Sequence, residues 1–226
     1  MIGFRGAMSI PAAFARRMGH TPPPRGRAMR HQTASLLAAS LLIAAAAMDP
    51  PLASAAEVTY EIDPQHTYPS FEADHMGLSH WRGKFNRTSG TVAVDKTAGT
   101  GSVEITIDID SIDYGLDLLN SEALKPEMFD AAKFPKAIYR GKFAKFEGGK
   151  PATVLGELTL HGVTRPVELR ITRFKCMPHP MNKRDWFGAD AEATIDRSQF
   201  GIDAGKDYGF DMTVALRIQV EAVAAE

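Results

Sequence analysis

From Phe210 to Ala222 every second side chain is apolar: Phe210, Met212, Val214, Leu216, Ile218, Val220 and Ala222. Asp211, Thr213, Arg217, Gln219 and Glu221 stand between them. A strand sends successive side chains to opposite faces, so a run this long has one dry face and one wet face. Residues 209–223 read as one strand whose apolar side needs a cover. Comparable runs occupy residues 58–63, 70–75, 82–95, 102–110, 136–146 and 186–196. In one of them Val103, Ile105, Ile107 and Ile109 alternate against Glu104, Thr106, Asp108 and Asp110. Two more strands meet at a tight polar turn through His161-Gly162, with Val154, Leu158 and Leu160 on one face of the first and Val167, Leu169 and Ile171 on one face of the second. Gly162 supplies the freedom a turn needs, and Pro166 stands near a strand start, where a missing N–H is tolerated.

Little else is available to cover these faces. After Ser111 the alternation stops, and residues 117–132 read as one or two short helical turns with Leu118, Leu119, Leu124, Met128 and Phe129 as the apolar set and Pro126 interrupting them. One short insert cannot shield so many strands, so the sheet must close on itself or pair with a second sheet. The predicted fold is all-β, an extended antiparallel up-and-down β-barrel of about eight strands with a short helical insert. A two-sheet sandwich is the alternative.

Residues 1–56 read as a leader. An apolar stretch at 34–48 follows Arg25, Arg27 and Arg30 and precedes Pro50-Pro51 and the small residues Ala53-Ser54-Ala55-Ala56, the order of a cleaved secretory signal. The stretch is shorter than the ~20 residues of a spanning helix. The segment before Met29 adds Arg and Pro without a second apolar run, which suggests a start at Met29. The expected mature domain, 57–226, has a size suited to one core. Removing six Arg and one Asp with the leader takes the formal charge from −1 to −6, which argues against nucleic acid as a partner. With Cys176 as the single cysteine, no intramolecular disulfide can form.

The segment Ser70-Phe71-Glu72-Ala73-Asp74-His75-Met76-Gly77-Leu78-Ser79-His80-Trp81-Arg82-Gly83-Lys84-Phe85 resembles the start of a YceI-like domain. Ser111-Ile112-Asp113, Met128-Phe129-Asp130 with Lys133-Phe134-Pro135, the hairpin at 158–167 and Arg197-Ser198-Gln199-Phe200-Gly201-Ile202 follow in the family's order. The resemblance runs from Val58 to the C-terminus. It implies a lipocalin-like barrel exported to the periplasm, whose apolar interior holds a long-chain isoprenoid or similar lipid. The chain departs from the family at Ser121-Glu122-Ala123-Leu124, where many members carry a His before the Leu.

The residues themselves leave a hollow and a filled barrel both open. On 186–196 the apolar parity is Phe187, Ala189, Ala191, Ala193 and Ile195, and small inward residues either line a cavity or fit the taper of a packed interior. The family resemblance implies the hollow form. The candidate ligand-contact residues are then Phe71, His75, Trp81 and Phe85 from the first hairpin, Leu119, Leu124, Met128, Phe129 and Phe134 from the insert, and Leu158, Leu160, Phe187 and Ala191 from the later strands. Gly83 and Ala191 read as small positions in the wall. His75 and Trp81 are the candidates for polar contact, and the insert reads as a movable cover.

No Gly-x-Ser-x-Gly elbow, phosphate-binding Gly loop or dinucleotide fingerprint occurs, and His66, His75, His80, His161 and His179 form no recognised zinc spacing. His75 with His80, and Met177-Pro178-His179-Pro180-Met181, are the nearest approaches to metal-site composition. No catalytic residue, metal or cofactor is expected. Three roles follow: a periplasmic lipid carrier, a redox accessory presenting quinone to a membrane cytochrome, and a filled-barrel envelope stress protein. Membrane contact is expected to be transient, and a homodimer is left open.

Overall fold

A computed structural model describes residues 57–226, so the leader expected at 1–56 lies outside the described residues. The strands are β1 (Val58–Ile62), β2 (Tyr68–His75), β3 (Ser79–Phe85), β4 (Thr88–Asp95), β5 (Thr100–Asp108), β6 (Ile112–Asp113), β7 (Lys136–Glu147), β8 (Lys150–Leu160), β9 (Val163–Pro178), β10 (Asp185–Asp196) and β11 (Thr213–Ala224). The helix α1 (Asp117–Ala123) lies between β6 and β7. All pairings are antiparallel, in the order β1-β4-β5-β7-β8-β9-β10-β11, and β11 pairs back onto β1 through Ile62 and Ala222. This closes an eight-stranded barrel of the lipocalin-like kind. Closure removes the free edges that one-sided strands of this length would otherwise expose.

The remaining strands extend two of these eight. β2 continues the line of β1 along β11, with Phe71 opposite Leu216, and β3 continues the line of β4. Residues 82–95, expected as one strand, are therefore broken at 86–87. Ser111 pins that break: its carbonyl accepts from the Asn86 N–H at 3.0 Å, and its hydroxyl accepts from the Arg87 N–H at 3.0 Å. The final strand is also shorter than its sequence pattern, because Phe210 and Met212 belong to the connection before β11, where the Phe210 N–H bonds the Gly205 carbonyl at 3.2 Å.

The β8–β9 turn holds His161 at φ 51° and Gly162 at φ 74°, the paired left-handed conformation whose twist suits a two-residue hairpin. His161 is not left in solvent, as a turn residue ordinarily is. Its Nδ1 lies 3.0 Å from the Phe200 carbonyl and its ring packs edge-on to Phe134 at 4.5 Å, tying the hairpin to the 197–200 turn. The buried apolar residues form two clusters, one that includes Phe71, Phe85, Leu158, Val167, Phe200 and Ile202, and the other made of Tyr60, Ile62, Val92, Val94, Phe187 and Ala222.

Candidate functional site

Residues of both clusters and the inward faces of the strands line a cavity of about 690 Å³. Its size falls within the range of small-molecule sites. The wall is what the period of two dictates: Val103, Ile105 and Ile107 from β5, and Val167, Leu169 and Ile171 from β9, face it. Tyr139 crosses toward it and donates its hydroxyl to the Val167 carbonyl at 2.9 Å, while burial holds that phenol well above its usual range.

Of the thirteen expected contact residues, the structure brings ten to this cavity. Phe71, Phe85, Leu158, Leu160, Phe187 and Ala191 contribute from the strands, Trp81 from the β2–β3 hairpin, and Leu119, Met128 and Phe129 from the insert. Three do not line it. His75 stacks on Trp81 at 4.2 Å and meets the edge of Phe210 at 5.1 Å, so its neighbours, and not the ring itself, face the cavity. Phe134 is taken up by His161 and Gly162, and Leu124 packs behind the insert against the buried core. Leu118, read as part of the insert's apolar set, is 64% exposed. Gly83 is no wall position either, because the Phe71 ring roofs it and a Cβ there would meet that ring at 2.5 Å.

Register explains what the sequence pattern missed. In the β9–β10 pair Ala191 lies opposite Ile171 and Asp190 opposite Arg173, leaving Thr172 as an extra residue. Such a bulge reverses the parity beyond it. Phe174 and Cys176 consequently turn inward with Phe187, and the Phe174 and Phe187 rings stack at 5.5 Å. Neither follows from simple alternation.

Polar groups gather at the two ends. At the end bearing the β9–β10 connection, a second cavity of about 270 Å³ shares Pro151, Phe174 and Phe187 with the first. There Asp185 accepts from the Tyr60 hydroxyl at 2.8 Å, the Lys96 ammonium at 2.5 Å and the Cys176 thiol at 3.0 Å. Burial alone would push the Asp185 carboxyl up, but the bonds from Lys96, Cys176 and Tyr60 outweigh it and hold the group below its usual value. Burial pushes the Cys176 thiol up, which is the opposite of what a reactive thiolate needs.

At the insert end, Tyr114 and Arg197 line the cavity together with Asp74, Glu122, Lys125 and Glu127. Thr88 is also in the wall, 4% exposed, and its hydroxyl is the one buried side-chain polar atom without a hydrogen-bond partner among the described residues. His75 and His80 do not form a metal pair: Asp74 is opposite His80 and Ser79 opposite His75, which puts the two imidazoles on opposite faces of the hairpin.

Known proteins resemble this chain in sequence and in fold. A UPF0312 protein of Pectobacterium atrosepticum is 33% identical over 192 residues, covering 84% of this chain and 95% of its own length. Among solved structures, a polyisoprenoid-binding domain from Saccharophagus degradans has a TM-score of 0.54 at 18% identity, covering 74% of this chain and 99% of its own. The Campylobacter jejuni YCEI protein has a TM-score of 0.56 at 20% identity, covering 68% and 90%. At these identities the structures speak for the fold. The YceI-like domain profile matches residues 60–222, nearly the whole barrel, and the chain belongs to the YceI-like family.

Proposed function

We propose that this chain is an exported binding protein, without catalysis of its own, that carries a long-chain isoprenoid such as a quinone or prenyl lipid, or a similar amphiphile, inside the barrel. The observation that carries this is the apolar cavity of about 690 Å³ inside the barrel, lined by residues of both apolar clusters. Each buried CH₂ contributes about 0.8 kcal/mol, while association costs roughly 4 to 15 kcal/mol, so about 20 buried carbons offset even the larger figure. A short chain does not stay bound on those terms.

Membership of the YceI-like family and the likeness to a polyisoprenoid-binding domain support the same ligand class. The apolar stretch at 34–48 and the small residues at 53–56 support export to the periplasm, with a mature start at Ala56 or Glu57. Leu78 at the β2–β3 tip and Leu118 on α1 are 79% and 64% exposed at the end of the barrel that carries the insert, which supports transient contact with a lipid surface. The test is a native mass spectrum of the exported protein before and after organic extraction. A co-purifying lipid mass that extraction removes is expected, and a bare protein that takes up no added prenyl lipid would refute the reading.

A further inference from the structure

Two donors at the insert end of the cavity have more hydrogen-bonding capacity than the protein uses. Tyr114 is half-buried and lines the cavity with its ring edge-on to Phe71 at 5.5 Å; its hydroxyl, which unlike that of Thr88 is not closed off by protein, bonds none of the described residues. Arg197 lines it too. Its guanidinium is fixed by two bonds, Nη1 to the Ile202 carbonyl at 2.9 Å and Nη2 to the Ala204 carbonyl at 2.7 Å, and among the described residues carboxylates reach it only through space and not by a hydrogen bond. A guanidinium carries five N–H donors, so donors remain unspent. Arg197 is half-buried, and burial disfavours its charge while Asp203, Asp196 and Asp211 support it from a distance, so an acceptor in the cavity would use donors that the protein leaves unspent. Burial also pushes the Tyr114 phenol up to about 12, despite the opposing pull of the Arg197 charge, so at neutral pH it is a hydroxyl that can donate.

We infer that Tyr114 and Arg197 are the polar anchor of the cavity and receive a neutral carbonyl oxygen on the head of the bound lipid. This rests on the lipid-binding reading above and adds the chemistry of the head group. Both groups donate, which selects an acceptor. The surrounding charges decide between a neutral acceptor and an anion. Lys125 spends its charge on Glu122 at 2.7 Å, and Asp74 and Glu127 remain as carboxylates in the lining. Beyond the lining, Asp203, Asp196 and Asp211 also reach Arg197 electrostatically. A phosphate or diphosphate head would meet this acidic rim, whereas a ketone, quinone, ester or amide carbonyl takes the two donors without repulsion.

The test uses the full chain, expressed with export, purified and stripped of lipid, and three probes of matched twenty-carbon prenyl chain: geranylgeranylacetone, the hydrocarbon springene and geranylgeranyl diphosphate. Tyr114→Phe keeps the ring and its packing on Phe71 and removes only the hydroxyl, so it stands even where Arg197→Gln loosens the 197–204 turn. Tyr114→Phe is expected to weaken the ketone about three- to tenfold, the value of one hydrogen bond, and to leave the hydrocarbon unchanged. Parent protein is expected to prefer the ketone to the diphosphate. Equal effects on ketone and hydrocarbon, or none on either, overturn the anchor while leaving the lipid cavity standing. A tighter diphosphate overturns the neutral head group. If neither ketone nor hydrocarbon binds the parent, the anchor falls together with the lipid-binding reading.

Discussion

Ala191→Leu separates a hollow barrel from a filled one by the sign of its effect. Ala191 lies within β10 between Ile171 and Ile218, is 7% exposed and faces the cavity with both neighbours. In a packed interior a larger side chain forces strained rotamers and backbone shifts and costs typically about 1 to 3 kcal/mol. In this structure the three extra carbons enter open space. At about 0.8 kcal/mol each, less roughly 0.5 to 1 kcal/mol of side-chain entropy, the ligand-free protein gains about 1.5 to 2 kcal/mol. For a domain of this size that is a rise in Tm of about 3 to 8 °C. The same carbons occupy space that a lipid tail would fill, so a long-chain prenyl probe should bind about 50-fold more weakly. Urea unfolding of lipid-extracted parent and variant measures the first effect, and displacement titration the second. A loss of about 1 to 3 kcal/mol with unchanged probe affinity would refute the reasoning. Gly83 offers no such test, because the Phe71 ring already occupies the space a side chain would need.

Four further outcomes are expected. Replacing Leu119 and Phe129 together by Ser should raise the off-rate of a fluorescent prenyl analogue with the strand signal in circular dichroism intact, since both residues shield the insert end of the cavity; equal off-rates would make the insert ordinary packing. Thr88→Val should stabilise the protein by about 1 to 3 kcal/mol by removing a buried hydroxyl without a partner, and a loss in thermal unfolding would show that the hydroxyl is satisfied. The Asp185 carboxyl sits below its ordinary value of 3.8, so its contribution to stability is present above that value and is lost as pH falls through the lower folded value; Lys96→Met should move acid unfolding to higher pH, and an unchanged acid limb would count against the cluster. Leu78→Asp with Leu118→Asp should slow prenyl transfer from lipid vesicles without changing affinity in solution, and unchanged transfer would remove the membrane-contact reading.

The strands were legible in the sequence because a two-residue period survives any tertiary arrangement: Val103 to Ile107, Leu158 with Leu160, and Val214 to Val220 each declare a face locally. The absence of a helical cover made closure the economical outcome, and the order of short motifs carried the family. What lay beyond the sequence depends on contacts far apart in the chain. The Thr172 bulge reverses the face of Phe174 and Cys176 only because β9 must keep register with β10. Phe71 closes over Gly83 only because the two meet across a hairpin, and Phe134 leaves the cavity only because His161 and Gly162 claim it. Tyr114 and Arg197 stand 83 positions apart, one after a two-residue strand and the other in a turn, and alternation assigns neither a face. The pairing order β10-β11-β2-β3-β6 brings them to one cavity. Local periodicity determined which faces are apolar, and the tertiary register decided how much space they enclose and which polar groups look into it.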